Sequence, residues 1–167
     1  MDAKEIIEAL RLKPHPREGG YFVESYRSEE RINGGTLMGR YSGSRSVSTA
    51  IYYLLTPDSF SEMHRLQSDE VFHFYLGDPV EMLQLWPDGK GIVVKLGTDI
   101  SAGMRPQVVV PRGVWQGARL APGGQYALLG TTVAPGFEYV DYESGLREEL
   151  LRLYPDFTEL ICTLTHE

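Results

Sequence analysis

From Ser46 to Asp141 the chain is a train of short apolar runs, rich in β-branched and aromatic residues, each cut off by turn residues before it reaches helical length. The runs span 47–55, 60–65, 70–76, 80–86, 91–96, 107–110, 114–119, 125–133 and 137–141. Pro57-Asp58, Gly77-Asp78-Pro79, Pro87-Asp88-Gly89, Gly97, Gly113 and Pro122-Gly123-Gly124 break them, and these residue types supply the backbone angles that turns need. Many short strands at roughly even spacing predict a sandwich or a barrel. Val71 to Leu76 is apolar on both faces. One face must therefore line the barrel interior, and the other must meet a helix or a second subunit.

The flanks read differently. Ile6, Ile7 and Leu10 recur at helical spacing among Lys4, Glu5 and Glu8, which predicts a short amphipathic helix ended by Pro14 and Pro16. Gly19 to Arg27 alternates as a strand, and the polar, Gly-rich stretch from Ser28 to Ser46 is expected to be a long loop or hairpin over the barrel mouth. Two C-terminal helices are expected. One runs from Leu146 to Tyr154 and stops at Pro155; the other opens on Asp156-Phe-Thr-Glu159, a capping-box pattern, with Leu160, Ile161 and Leu164 on one side.

At 167 residues the chain suits one domain, 1–167, with one sizeable core. Its net charge of −7 argues against a nucleic acid or an anionic membrane surface as partner, because both reward clustered Lys and Arg. The single cysteine, Cys162, excludes an internal disulfide and fits a reducing compartment. Its apolar helical setting predicts a buried structural thiol. Charges stand in the first ten residues where a signal peptide needs an apolar core, and no apolar run approaches the roughly 18 residues of a membrane span. The expectation is a cytoplasmic protein.

Functional chemistry concentrates in His64-Arg-Leu-Gln-Ser-Asp-Glu70-Val-Phe-His73-Phe-Tyr-Leu-Gly77 and, further on, in Pro111-Arg-Gly113-Val-Trp-Gln116. Alternate side chains of a strand share a face, so His64 and Leu66 point the same way, and Glu70 on the next strand can reach the same volume. A histidine beside a carboxylate is poised for proton transfer near neutral pH. His64, Glu70 and His73 are the candidate catalytic residues. Strict alternation from Glu70 puts His73 on the opposite face, whereas a β-bulge would bring it into the pocket, and the sequence leaves both open. Thr49, Tyr53, Gln84, Gln116 and Tyr126 are the side chains expected to hydrogen-bond a ligand.

The two motifs resemble the signature motifs of the cupin superfamily, in which His-x-His is followed by Glu and Gly and the second motif ends in His. His64, Glu70, Gly77, Pro111 and Gly113 keep that register; Leu66 and Gln116 replace two metal-binding histidines. Pro14-His-Pro-Arg-Glu-Gly-Gly-Tyr-Phe, Ser48-Thr-Ala-Ile-Tyr-Tyr-Leu-Leu, Val109 to Gln116 and Ala134-Pro-Gly-Phe-Glu extend the resemblance to one small cupin subfamily known as a domain of unknown function. Arg17 looks inserted relative to that branch, and Val23 stands where the branch often has Arg. Asp58, Arg105 and Leu120 depart from the general cupin pattern and weaken transfer from metal-dependent cupins.

The resemblance implies an all-β double-stranded β-helix, the cupin jelly-roll barrel, with short N- and C-terminal helices and a homodimeric state. A divalent transition metal held by His64, Glu70 and Gln116 is the cofactor expectation, with affinity lowered by the neutral amide. The favoured function is binding of a small polar metabolite such as a carbohydrate, with sugar isomerase or epimerase activity from a His/Glu pocket. The alternatives are a metal-dependent cupin oxygenase or isomerase, and a non-catalytic binding, sensory or storage module.

Overall fold

A computed structural model of the protein describes residues 1–37 and 39–166. In chain order its strands are β1 (Lys13–Pro14), β2 (Tyr21–Arg27), β3 (Arg31–Ile32), β4 (Arg45–Ser46), β5 (Thr49–Leu55), β6 (Phe60–Leu66) and β7 (Asp69–Gly77). They continue as β8 (Val80–Leu85), β9 (Gly91–Leu96), β10 (Gln107–Val110), β11 (Trp115–Leu120), β12 (Ala127–Ala134) and β13 (Tyr142–Ser144). Three helices flank them: α1 (Ala3–Leu10), α2 (Arg147–Leu153) and α3 (Thr158–Thr163). Two antiparallel sheets, ordered β1-β2-β5-β12-β7-β10 and β13-β6-β11-β8-β9, face each other as a jelly roll, with β3 and β4 paired apart from them.

Alternation drives this closure. Tyr53 and Leu55 of β5, Phe72 and Phe74 of β7 and Leu129 of β12 project from one sheet and meet Val80 and Met82 of β8 and Ala118 of β11 from the other. Full burial of each large apolar side chain is worth about 1.5–3 kcal/mol. The outer face of the five-stranded sheet carries Met63, Leu83, Leu85 and Trp115, covered by Leu150, Tyr154, Ile161 and Leu164 of the C-terminal helical region. Ile6 of α1 covers Leu54 and Leu128 on the other sheet. The five-stranded sheet and the β2–β5–β12 part of the other are thus apolar on both faces because both are packed, whereas the outer face of β7 and β10 is left uncovered at Tyr75 and Val109. α1 is held at its start by a reciprocal box in which Asp2 accepts from the Glu5 amide and Glu5 from the Asp2 amide.

Three expectations are corrected. Residues 137–141 form no strand: the Phe137 amide donates to Thr49 Oγ1 and the Gly136 amide to the Ser46 carbonyl, so these groups are spent outside any ladder, and a 3-10 turn at Tyr139–Asp141 precedes β13. The Asp156 capping box does not form, because Pro155–Phe157 is itself a 3-10 turn and Thr158 Oγ1 donates backward to the Pro155 carbonyl. Cys162 is exposed; Ile161 and Leu164 take the buried side of α3. Of the two forms expected for the 28–46 segment, the structure shows the hairpin, β3–β4 with a 3-10 turn at Gly34–Leu37, tied to the 136–141 segment through Ser46 and a buried Arg45–Asp141 pair with both nitrogen–oxygen distances 2.7 Å. Among the described residues, no helix is long and apolar enough to cross a membrane.

Candidate functional site

The apolar core occupies one half of the barrel, and a cavity of about 360 Å³ opens in the other. Its walls come from the strand ends the core leaves free: Thr49 and Ile51 of β5, His64 and Leu66 of β6, Glu70 of β7, Thr131 and Val133 of β12. Leu66 and Val133 belong to a small apolar cluster with Tyr142, so one wall of a polar cavity is greasy.

A bulge sets the aim of His64. Gln116 of β11 pairs with His64, but Ala118 pairs with Ser61, so Gly117 stands opposite both Glu62 and Met63. In a regular strand Ser61 and His64 would point to opposite faces; the extra residue turns both toward the cavity while Met63 packs under the helices. A side chain at Gly117 would run into the Met63 thioether. His64 is 1% exposed, stacks on Tyr142 at 4.8 Å, and donates from Nδ1 to the Glu62 carbonyl at 2.7 Å. That bond fixes the proton on Nδ1 and leaves the Nε2 lone pair for the cavity. Burial holds the imidazole below its ordinary pKa, against the raising influence of Glu70.

Glu70 faces His64 from the opposite sheet. Its Oε2 accepts from Gln116 Nε2 at 2.6 Å, and Thr131 supplies a second hydrogen bond. Neither neutral donor offsets its removal from water, and burial together with the charge of Glu18 pushes the carboxyl up to about 7. Glu18 behaves alike: Ser61 Oγ donates to it at 2.6 Å, yet burial pushes it up to about 7. Two carboxyls in one cavity therefore hold protons near neutral pH.

Glu18 arrives on the segment between β1 and β2. Gly19 has φ +98°, and a Cβ there would collide with the Phe60 carbonyl, so only glycine lets this segment lie against β6. The Glu62 amide then donates to the Glu18 carbonyl at 2.8 Å. His15 enters the cavity with the same turn. Its Nδ1 accepts from the Glu18 and Arg17 amides, at 2.8 and 3.3 Å, and so cannot carry a proton; burial and His64 lower its pKa to about 4.

The 137–142 segment closes the remaining side with Phe137, Tyr139 and Tyr142. Tyr142 donates its hydroxyl to Glu62 Oε1 at 2.7 Å, and burial raises its pKa. At the rim, Arg27 spans Glu24 and Glu138, with contacts of 2.8 and 3.1 Å.

Of the sequence candidates, His64, Glu70 and Thr49 line the cavity. Gln116 supports Glu70. Tyr53 lies beneath Glu18 and donates to the Gly19 carbonyl at 2.8 Å. Gln84 is buried elsewhere, donating to the Val109 carbonyl, and Tyr126 packs with the α1 cluster, so neither reaches the cavity. The sole bulge in the β7–β12 ladder falls at Tyr75, beyond His73. His73 therefore stays on the outer face, its ring nitrogens beside Thr132 Oγ1 and Gln107 Nε2. Sequence reasoning missed His15 and Glu18 as site residues; their signal was a titratable pair directly before Gly19-Gly20. Tyr142 and Tyr139 gave no periodic signal.

The donor set does not fit the metal that cupin-like motifs imply. Leu66 offers no lone pair, and Gln116 turns its NH₂ toward Glu70. No group of three or more His, Cys, Asp or Glu among the described residues converges on one point.

Comparison with known proteins follows the same outline. The family described as "Cupin superfamily (DUF985)" matches residues 4–145. The uncharacterized Saccharomyces cerevisiae protein YML079W is 34% identical over 148 residues, covering 83% of this chain and 73% of its own. Among solved structures, a hypothetical protein from Leishmania major superposes with TM-score 0.90 at 32% identity over 100% of both chains. Shewanella oneidensis protein SO0799 superposes with TM-score 0.87 at 33% identity, over 99% of this chain and 98% of its own.

Proposed function

This chain belongs to the cupin superfamily, in the family designated DUF985, and from that premise we propose that its barrel cavity binds a small polyhydroxylated metabolite and isomerises or epimerises it by proton transfer. The observation that carries this reading is geometric: His64, buried and with its Nδ1–H tied to the Glu62 carbonyl, turns Nε2 to the cavity opposite Glu70; burial favours the neutral imidazole and pushes the Glu70 carboxyl up to about 7. Groups whose environments reverse their usual protonation make an acid/base pair.

His64 Nε2 takes the proton from the carbon beside a substrate carbonyl. The C–H electron pair becomes the enediol double bond, and the carbonyl oxygen takes the proton of Glu70. When the His64 proton returns to the former carbonyl carbon and the hydroxyl on the other carbon gives its proton to the Glu70 carboxylate, the product is the isomer; when the first hydroxyl returns its proton to Glu70 and the original carbon is protonated on its opposite face by water in the cavity, with His64 releasing its proton to solvent, the product is the epimer. The Glu62 carbonyl, bonded to Nδ1–H, stabilises the transient imidazolium, and Gln116 holds the Glu70 carboxylate left behind. No oxidant or metal enters these steps.

Incubation with aldoses and ketoses in D₂O, followed by proton NMR, tests the reading. Loss of a C–H signal at the carbon beside the carbonyl is expected, and His64→Ala and Glu70→Gln are expected to abolish it. Binding without exchange by the wild type would favour a non-catalytic module. A homodimer belongs to the same reading, supported by the exposed Tyr75 and Val109 on the uncovered part of the six-stranded sheet, and a monomeric mass in analytical ultracentrifugation would rule it out.

A further inference from the structure

Glu18 has a second use that the proton-transfer scheme leaves open. Among the described residues neither Glu18 nor Glu70 has a Lys or Arg ion-pair partner; the neutral groups beside them are Ser61 and Tyr53 for Glu18 and Gln116 and Thr131 for Glu70. The one guanidinium lining the cavity is Arg27, and it is already shared by Glu24 and Glu138 at the rim and by the Phe137 carbonyl at 3.1 Å. Arg17 does not line the cavity; its guanidinium lies 5.0 Å over the Tyr142 ring, and its charge reaches His15 and Tyr139 from behind the lining. Among the described residues the cavity lining thus offers carboxyls, imidazoles and no cation besides the paired Arg27.

The surroundings of Glu18 are aromatic. His15 Nε2 is 3.8 Å from Glu18 Oε2. The His15 ring centroid lies 4.5 Å from Phe22 and 6.2 Å from Tyr139, and Tyr139 meets Phe137 edge-on at 5.1 Å. A carboxylate in a cavity that aromatic rings also line is a receptor for a cationic nitrogen, since both the charge and the ring quadrupoles attract it. An anionic group would meet the carboxyls without a cation to receive it. His64 is an independent sign of a ligand in the same cavity: it is 1% exposed, and its Nε2 has no hydrogen-bond partner among the described residues.

We propose that the ligand carries a protonated amine that meets Glu18 in the cavity lined also by Phe22 and Tyr139, so that the substrate class is an amino sugar or a similar hydroxylated amine. This rests on the cavity reading above and divides its two carboxyls by task. Glu18 ionises against the ammonium, while Glu70 keeps the proton that the carbonyl oxygen receives.

Calorimetric titration of the wild-type protein at pH 7 with two matched sets tests the assignment: D-glucosamine, D-glucose and D-glucuronate, and the acyclic glucamine, sorbitol and gluconate. In at least one set the amine is expected to bind ten or more times tighter than its neutral counterpart, and the carboxylate not to bind. Glu18→Gln is expected to bring the amine-to-neutral ratio to about one, and Phe22→Leu to lower it several-fold, with folding of each variant checked by melting temperature. The wild-type ratio is decisive even if a variant does not fold. Neutral or carboxylate members binding as tightly as the amine, in a manner lost in His64→Ala, would overturn the ammonium assignment and leave the cavity reading standing. Failure of every member to bind would overturn both.

Discussion

Replacing Glu70 by Gln should stabilise the protein, and only on the alkaline side. Burial and the neighbouring Glu18 carry the Glu70 carboxyl from its ordinary 4.5 up to about 7. A raised carboxyl pKa means that the folded state binds the proton more tightly than the unfolded chain. The resulting stabilisation is fully present below pH 4.5 and is lost as pH rises through 7. The difference between the two pKa values corresponds to about 3 kcal/mol by pH 8. His15 works in the opposite direction: held down at about 4, it contributes stability above pH 6.5 that disappears as pH falls toward 4. Comparing variant with wild type at the same pH cancels that contribution. The substituted side chain keeps an oxygen for the Gln116 amide and never ionises. Urea denaturation at pH 5 and pH 8 should therefore give nearly equal stabilities at pH 5 and a gain of about 3 kcal/mol for Glu70→Gln at pH 8, a midpoint shift of roughly 1–2 M. A gain at pH 8 smaller than about 1 kcal/mol would show that Glu70 ionises without penalty, and the acid/base assignment would fall with it.

Three further outcomes follow from the same geometry. Arg45→Leu leaves Asp141 buried without its bidentate partner and should cost about 3–5 kcal/mol, read as a fall in the denaturation midpoint; Asp141→Asn in that background should recover part of it. If the proposed reaction is found, kcat/KM should fall as pH rises through about 7, where Glu70 loses its proton, and the acid limb should lie below pH 6.5 because burial lowers His64; a profile rising from pH 6 to 8 would contradict this. Cys162, exposed on α3, should react with a water-soluble thiol reagent in the folded protein at a rate close to that in urea, whereas a buried thiol would react only on unfolding.

The strand train was legible because alternation and turn residues are local signals: β5 through β12 begin and end within a few residues of the runs read from composition alone. Segment 137–141 misled because Phe137 and Tyr139 have strand-like chemistry, but Gly136 and Phe137 spend their amides on Ser46 and Thr49, partners far away in sequence. Cys162 misled for a related reason. An apolar neighbourhood in sequence does not say which side of a one-and-a-half-turn helix faces the sheet. Part of the candidate site was legible in the sequence, His64 and Glu70 through motif spacing and Thr49 as a strand residue. The rest, His15, Glu18 and Tyr142, reaches the cavity by tertiary delivery, through a glycine turn against Phe60 and through an edge strand beside His64.

Leu66 and Gln116 gain a physical reading from this geometry. A second imidazole on the face of His64, or one in place of Gln116, would stand near Glu70 and, on protonation or metal binding, would pull its pKa down. Leucine cannot do so, and a neutral amide lowers it only through one hydrogen bond. With those two side chains, burial and Glu18 dominate, and Glu70 stays protonated near pH 7. The same two substitutions that dismantle a metal-ligand set thus produce a carboxylic acid opposite a neutral base. Histidine at both positions should lower the Glu70 pKa only where a new imidazole is protonated or metal-bound, so without a bound metal the gain of Glu70→Gln at pH 8 should persist.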